Sequence, residues 1–522
     1  MAEHLRALVV ILLLASVVFA FAKAPACALA SATADFERRR NLWFAITLIA
    51  FLAHNFWVYI VVAAVLLLLV LPREPNKLAM YFFVLFAVPP ISVQITGLGV
   101  IEHFFTIHYL RLLALAILLP AFLSLRRQPD TERFGQSIPD KILLVYLILN
   151  FVLILQVDTA TNAVRRGVFY AFIDTFLPYY VASRSLKTLP RFRDALMAFV
   201  VGALVLSAIG AFEFAKSWLL YTGLQDALDA PWGPRYYLRR GENLRAHGST
   251  GQAIAFGYAV AVAMGMFLYL RRSVPNPTAW GLGLLLLIAG LIAPISRGPW
   301  VGAAAIFLAF VATGPSAGLR LAQFGLIGVI GGSVLLASPA GETIIEHLPF
   351  VGSIDARNVT QRQRLLEVSI QVIMQNPFFG SFTARYSSTM QELRLGDGLI
   401  DVVNTYVRVA LESGLVGLSL FSGFFIAVAV SIVRSMRSLP ERNGELHLLG
   451  QALLSTLLGI LVIIYTVSSI SVIPYIYWSV AGLGVAYARM LALAKAPANA
   501  PRIAGRAGLQ ATTAKKRFMG SG

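Results

Sequence analysis

Charge is scarce in this chain: 13% of its 522 residues are Asp, Glu, Lys or Arg, against 58% hydrophobic. Soluble domains carry roughly a quarter charged residues, so a fully water-exposed globule is excluded. Cysteine is scarcer still. The lone Cys27 rules out an internal disulfide and a cysteine-built metal site. The seven histidines are scattered without an HExxH-like pair, so neither a metal centre nor a cofactor site has support. No familiar RNA- or DNA-binding motif is present, and the net charge of +18 therefore does not point to nucleic acid.

What the chain does have is long apolar runs, with a mean hydropathy of +0.75. Met80–Pro89, Ile142–Val157, Ala195–Ile209, Ala279–Ala293 and Ala452–Val467 carry almost no charge. A helix needs about 20 mostly apolar residues to cross a bilayer. The pattern predicts an all-α polytopic membrane protein with 12–15 spans. Candidates lie near 5–22, 42–71 (one long helix or two), 78–97, 105–124, 142–157, 168–183 and 195–220. Others follow near 252–270, 279–296, 298–313, 318–338, 415–433, 448–466 and 469–490. Basic clusters such as Arg126–Arg127, Arg271–Arg272 and Arg434–Arg442 then fall on one side, as the positive-inside rule requires. The chain divides into an N-terminal segment and loop (1–41), a transmembrane bundle (42–338) and a large external loop with short helices (339–413). C-terminal spans (414–492) and a basic, disordered cytoplasmic tail (493–522) complete it.

The alternation leaves 223–251, Ser296–Gly298 and 339–413 on the far side, and there the rule fails. These segments hold Arg235, Arg239, Arg240, Arg245, Arg297, Arg357, Arg362, Arg364, Arg385 and Arg394. An anionic substrate accounts for arginines that topology does not need; pairing with local acids and lipid phosphates is the alternative. In Ser296–Trp300 a helix N-terminus beside Arg297 offers a seat for phosphate, or a tight turn whose arginine snorkels to head groups. Thr360–Gln375 reads as a helix stopped by Asn376–Pro377. Arg362 falls on its apolar stripe of Leu366, Ile370 and Ile373, and Arg364 on the polar face with Glu367. From Asp401, either a site residue or the cap of the next helix, Asn404, Arg408 and Glu412 follow at i, i+4, i+8. The aromatics of 231–248 are interfacial anchors or sugar-stacking rings.

At these residues the chain resembles the O-antigen ligase/O-antigen polymerase family, the Wzy and WaaL type. The resemblance covers roughly residues 240–435 and rests on the order of its pieces. They are Arg245 with Gly248, Ser296–Gly298, Arg362 ahead of Pro377 and Gly380, and Asn404, Tyr406, Glu412, Gly414 and Gly417. It implies a GT-C-like, inverting, metal-independent glycosyltransferase of the bacterial inner membrane with its active site facing the periplasm. The implied substrates are undecaprenyl-diphosphate-linked oligosaccharides, as donor and acceptor. Chain-length regulator and flippase proteins are the implied partners, with membrane lipids around the spans. Arg245, Arg297, Arg362, Arg364 and Arg408 would hold the diphosphate, supported by Ser296, Asn404 and Tyr406. Ligases of this family usually carry a His before the Asn, proposed as the base; here that position is Val403. Asp401 is the nearest replacement, with Glu412 and His247 behind it. The departure favours exopolysaccharide or O-antigen polymerisation over ligation of a finished glycan to lipid A-core in lipopolysaccharide. A lipid-linked glycan flippase is the rival from another class, and it lacks the internal repeats expected of transporters.

This topology predicts that reporter fusions at Gly352 and Gly396 read as external, and those at Ser273 and Arg442 as cytoplasmic. A cytoplasmic signal at Gly396 removes the basis for a site on the far side.

Overall fold

A computed structural model describes residues 2–29, 32–97, 103–231, 237–272, 274, 276–336, 356–392 and 402–495. Asp401, Gly352, Gly396, Ser273, residues 232–236 of the aromatic stretch and the tail from 496 lie outside the described residues.

The molecule is an all-α polytopic membrane protein, and nine helices among the described residues are long and apolar enough to cross a bilayer. α1 (Glu3–Leu29), α2 (Thr33–Leu52) and α3 (Phe56–Val70) open the bundle. The apolar run 42–71 is thus split in two, because Asn55 accepts from the amides of Trp57 and Val58 and caps a new helix. Next come α4 (Lys77–Val84) and a two-stranded antiparallel hairpin of β1 (Ser92–Thr96) and β2 (His103–His108). The expected span 78–97 is therefore not one helix. Pro89 and Pro90 interrupt it, since proline cannot extend a helix through its interior, and the chain turns into strand.

α5 (Tyr109–Arg127) and α6 (Ile138–Val157) follow. α7 (160–185) is wound as a π-helix from Arg165 to Phe176. α8 (Leu189–Lys216), α9 (Ala253–Leu270), α10 (Pro277–Ile292), α11 (Arg297–Ala312) and α12 (Ala317–Leu336) continue the bundle. α10 and α11 are short apolar helices. α13 (Ala356–Gln375) precedes α14 (Thr405–Arg437), α15 (Glu445–Ile464) and α16 (Ile473–Lys495).

Burial sorts these helices. α8 and α9 are 83% buried along their apolar windows and form the centre, with α8 packed against α1, α4, α9 and α10. α3 and α6 are only about a third buried. Their exposed residues, such as Val61, Val65 and Leu69, are apolar, the signature of a surface that meets lipid. α11 and α15 pack closely. A Cβ on Gly302 would lie 2.0 Å from Ile463, and one on Gly459 2.1 Å from Ile306. Small residues let the two backbones approach, as lipid-embedded helices favour.

The charged side chains collect at the helix ends. At one end the buried Arg39 guanidinium donates to Glu74 (2.6 and 3.2 Å) and to Asp194 (2.7 and 2.9 Å), joining α2, the α3–α4 turn and α8. Arg184 meets Asp140 at 2.5 Å, and Arg193 pairs with Glu445, which also accepts from Tyr269 at 2.8 Å. Removing one partner of a buried ion pair leaves the other uncompensated. Arg39→Ala is expected to cost about 3–5 kcal/mol; Arg40→Ala, on the partly exposed neighbour, should stay within about 0.5 kcal/mol. Thermal unfolding of the purified, detergent-solubilised variants checks both.

Candidate functional site

The opposite end is organised by a short connector between α15 and α16, residues 465–471. Thr405 Oγ donates to the Val467 carbonyl (2.7 Å) and lies 3.0 Å from Ser469 Oγ. Ser468 donates to Val402 O (3.0 Å), Arg408 to Ser469 O (3.4 Å) and Ser471 to Thr250 O (2.8 Å). The connector thus ties the start of α14 to the loop before α9.

That loop carries Arg245 and His247. Arg245 Nε donates to Pro294 O (3.0 Å), Arg240 to Ile295 O (2.8 Å) and the Ala246 amide to Ala293 O (3.1 Å). All three engage the turn that leads into Arg297. Beneath them Glu213, on α8, is fully buried. Its carboxylate accepts the amides of His247 (3.1 Å), Gly248 (2.9 Å) and Leu220 (2.9 Å). The His247 imidazole is buried, and its Nε2 has no partner among the described residues. Ser296 is buried as the residue preceding α11, and Arg297 is partly exposed in its first turn. Pro299 stands third in that helix, where it sacrifices no helical hydrogen bond. Next to Arg297, a Cβ on Gly298 would lie 2.3 Å from Thr466 Oγ1, so the Ser296–Gly298 turn sits directly on the connector.

Thr466 also lines a small cleft of about 150 Å³ with Arg362, Ser369, Val403 and Asn404. Arg362 lies in this cleft at the start of α14, but not for the reason the sequence suggests, since Leu366 and Ile370 of its stripe are exposed; Arg362 and Arg364 are both exposed, and Arg364 does not line the cleft. The packed face of α13 is not the one the sequence suggests. Leu365, Val368, Ser369, Val372 and Ile373 pack inward, while Leu366, Ile370 and Met374 are exposed. Both stripes are apolar, so spacing alone did not choose between them.

Asn404, and not a residue before it, caps α14: its side chain accepts the amides of Tyr406 (2.9 Å) and Val407 (3.2 Å). This corrects the reading in which Asp401 opens the helix. The Tyr406 hydroxyl donates to Leu461 O (3.0 Å). Arg408 and Glu412 pair at 3.0 Å, as their spacing requires, and Arg385 binds the same Glu412 oxygen at 2.8 Å. Sequence reasoning missed this second arginine as a partner. It also missed Glu213, although an acid within an apolar span is itself a signal.

The Pro377–Gly380 turn explains the glycine pattern downstream. Gly414 interrupts α14 at φ 65°, ψ −168°, a conformation open essentially only to glycine. Into that break the amides of Leu415 and Val416 reach Pro377 O (2.7 Å) and Phe378 O (3.1 Å). The Ser381 amide returns a bond to Leu411 O (2.8 Å). A Cβ on Gly414 would lie 2.2 Å from Phe378 O. The motif is a backbone clasp between the loop after α13 and α14.

Residues 282–422 match the family model described as O-antigen ligase. Over that stretch the chain is similar to the O-antigen ligase family. The matched stretch runs from α10 through the clasp. It contains the Ser296–Gly298 turn, Arg362 and Arg408, but neither Arg245 nor the connector whose Thr466 completes the Arg362 cleft. Members of this family are glycosyltransferase-like enzymes acting on lipid-linked glycans in the membrane. No curated protein matches the chain.

The clasp predicts a contrast between two glycines of one helix. Gly414→Ala should cost about 1–3 kcal/mol from backbone strain alone and abolish glycan synthesis. Gly423→Ala, where a Cβ meets nothing within 4 Å, should leave both unchanged or slightly improved. Complementation of a deletion strain, with thermal unfolding of the purified variants, reads the difference.

Proposed function

We propose that the chain is a bacterial inner-membrane polysaccharide polymerase joining undecaprenyl-diphosphate-linked repeat units. The observation that carries this reading is the convergence of the Arg297 turn, the Arg362 cleft and Arg408 on one connector at one end of an apolar bundle. The other end holds Arg38–Arg40, Arg126–Arg127 and Arg271–Arg272. By the positive-inside rule that end is cytoplasmic, which supports a periplasmic site.

The acceptor hydroxyl of the incoming unit attacks the anomeric carbon of the growing chain from the face opposite the diphosphate. A new carbon–oxygen bond forms as the bond to the diphosphate breaks, so configuration inverts and the bonding electrons leave with undecaprenyl diphosphate. Arg245, Arg297 and Arg362, with Arg364 and Arg408 nearby, stabilise the charge on that leaving group. Asp401, next in sequence to the cleft residues Val402 and Val403, takes the hydroxyl proton, with His247 as second candidate. Glu412, engaged by two arginines, orients them. Ser296, Asn404 and Tyr406 hold the backbone that presents these groups.

The family description favours a second reading, ligation of a finished glycan to lipid A-core. Against it stands Val403, a side chain that cannot move a proton, in the wall of the Arg362 cleft.

Deleting the gene separates the readings. A lost polymerase leaves single lipid-linked units accessible to an external glycosidase. Long lipid-linked chains with none on lipid A-core would establish the ligase, and single units trapped on the cytoplasmic side a flippase. In the complemented strain, Arg362→Ala should cut elongation on the order of a hundredfold, about 3 kcal/mol, while Arg364→Ala retains most of it. Equal tolerance of both removes Arg362 from the site. Rescue by Asp401→Asn would remove Asp401 as the base.

A further inference from the structure

A larger cleft, of about 540 Å³, opens beside the connector, on the side of the hairpin and α7. This is within the roughly 300–1,000 Å³ of small-molecule sites. Its floor is a closed polar unit. Arg111 on α5 donates Nε and Nη2 to Asp174 (3.1 and 2.7 Å) and Nη1 to Thr106 O (2.7 Å). The guanidinium also stacks on the Tyr170 ring at 3.5 Å. Asp174 accepts in addition from the Tyr475 hydroxyl at 2.5 Å. Asp174 and Tyr170 are four residues apart on the π-helical stretch of α7, a winding found frequently at functional sites.

This chemistry discriminates among ligands. The Arg111 charge is neutralised by Asp174, and all three of its nitrogens already donate to Asp174 or Thr106, which makes it a poor phosphate clamp. Asp174 is likewise occupied and does not invite a cation. The remaining wall presents hydroxyls, an amide and neutral rings: Ser92, Gln252, Ser469, Ser471, His108 and Tyr475. His108 lies outside the spans, and burial, reinforced by the positive charge of Arg111, pushes it down to about 4. Its ring is uncharged at neutral pH and offers one donor and one acceptor; Nδ1 has no partner among the described residues. An uncharged surface mixing aromatic rings with paired donors and acceptors suits a sugar, whose own surface alternates hydroxyls and C–H faces. Ser469 belongs both to this cleft and to the connector that receives Arg408. A sugar seated here lies beside the arginines.

We propose that the cleft between the β1–β2 hairpin, α7 and the connector is a second subsite, binding an uncharged glycan next to the arginine-bearing site. The inference rests on the glycosyl-transfer reading for the identity of the sugar, but its test involves no turnover.

The probe is the neutral oligosaccharide freed by mild acid from the host strain's own lipid-linked glycan. Full-length protein in nanodiscs is titrated with it and followed by saturation-transfer NMR. Wild type should transfer saturation to the sugar ring protons. Gln252→Ala and His108→Gln should weaken binding at least tenfold, and Arg362→Ala should leave it unchanged. Gln252 is exposed, so its truncation keeps the test valid if His108→Gln lowers the unfolding temperature. Inorganic pyrophosphate should not compete with the sugar. Displacement by pyrophosphate would make the cleft an anion site and overturn the proposal, as would wild-type affinity in Gln252→Ala and His108→Gln, or no transfer in wild type. Since binding is scored apart from the deletion phenotype, a failed polymerase reading and an empty cleft give different results.

Discussion

A bilayer interior offers no water to a charged side chain, and this constraint decides where the buried ion pairs of the described residues sit. Among the described residues, each buried guanidinium group has a carboxylate in place: Arg39 with Glu74 and Asp194, Arg184 with Asp140, Arg111 with Asp174. Each pair joins segments distant in sequence, so the charges that burial makes expensive also fix which helices are neighbours. The apolar helices between them need only be long enough and small enough in the right places, as Gly302 and Gly459 show.

The same constraint gives the connector 465–471 its role. Irregular backbone at the edge of a membrane bundle must have its polar groups satisfied by protein. Here Thr405 and Arg408 donate to the connector carbonyls of Val467 and Ser469, while the connector's own Ser468 and Ser471 donate to the carbonyls of Val402 and Thr250. Meeting that need draws the start of α14, the loop before α9 and the turn before α11 to one place. The connector carries Thr466 in the Arg362 cleft and Ser469, which accepts from Arg408, in the wall of the larger neutral cleft. On the proposed reading, an anion-holding region would lie beside an uncharged one, the division a glycosyl donor with a diphosphate leaving group calls for.

The apolar runs made the membrane class and most helices legible, and the Asn376–Pro377 stop marked the end of α13 where it falls. The Arg408–Glu412 pair followed from helical spacing. Elsewhere local sequence was insufficient. The run 78–97 is apolar in both a helix and a hairpin, and only two prolines distinguish them. On α13 two apolar stripes compete, and tertiary packing selects Leu365 and Val372 over Leu366 and Ile370. Glu213 and Asp174 stood alone in apolar sequence; the groups that give them meaning come from segments far along the chain. Pairings of that range leave no periodic trace.

The clasp at Gly414 carries a consequence for how the chain can vary. Pro377 to Ser381 and Leu411 to Val416 are joined by backbone bonds with no room for an added atom, so neither stretch tolerates an inserted or deleted residue. Between the two stretches the chain carries Arg385, Asn404 and Arg408, whose bonds to Glu412, to the first amides of α14 and to Ser469 depend on where the clasp holds its ends. A slip of one residue at the clasp would displace all three together, so the register of the clasp, and not only its glycine, is what these side chains need.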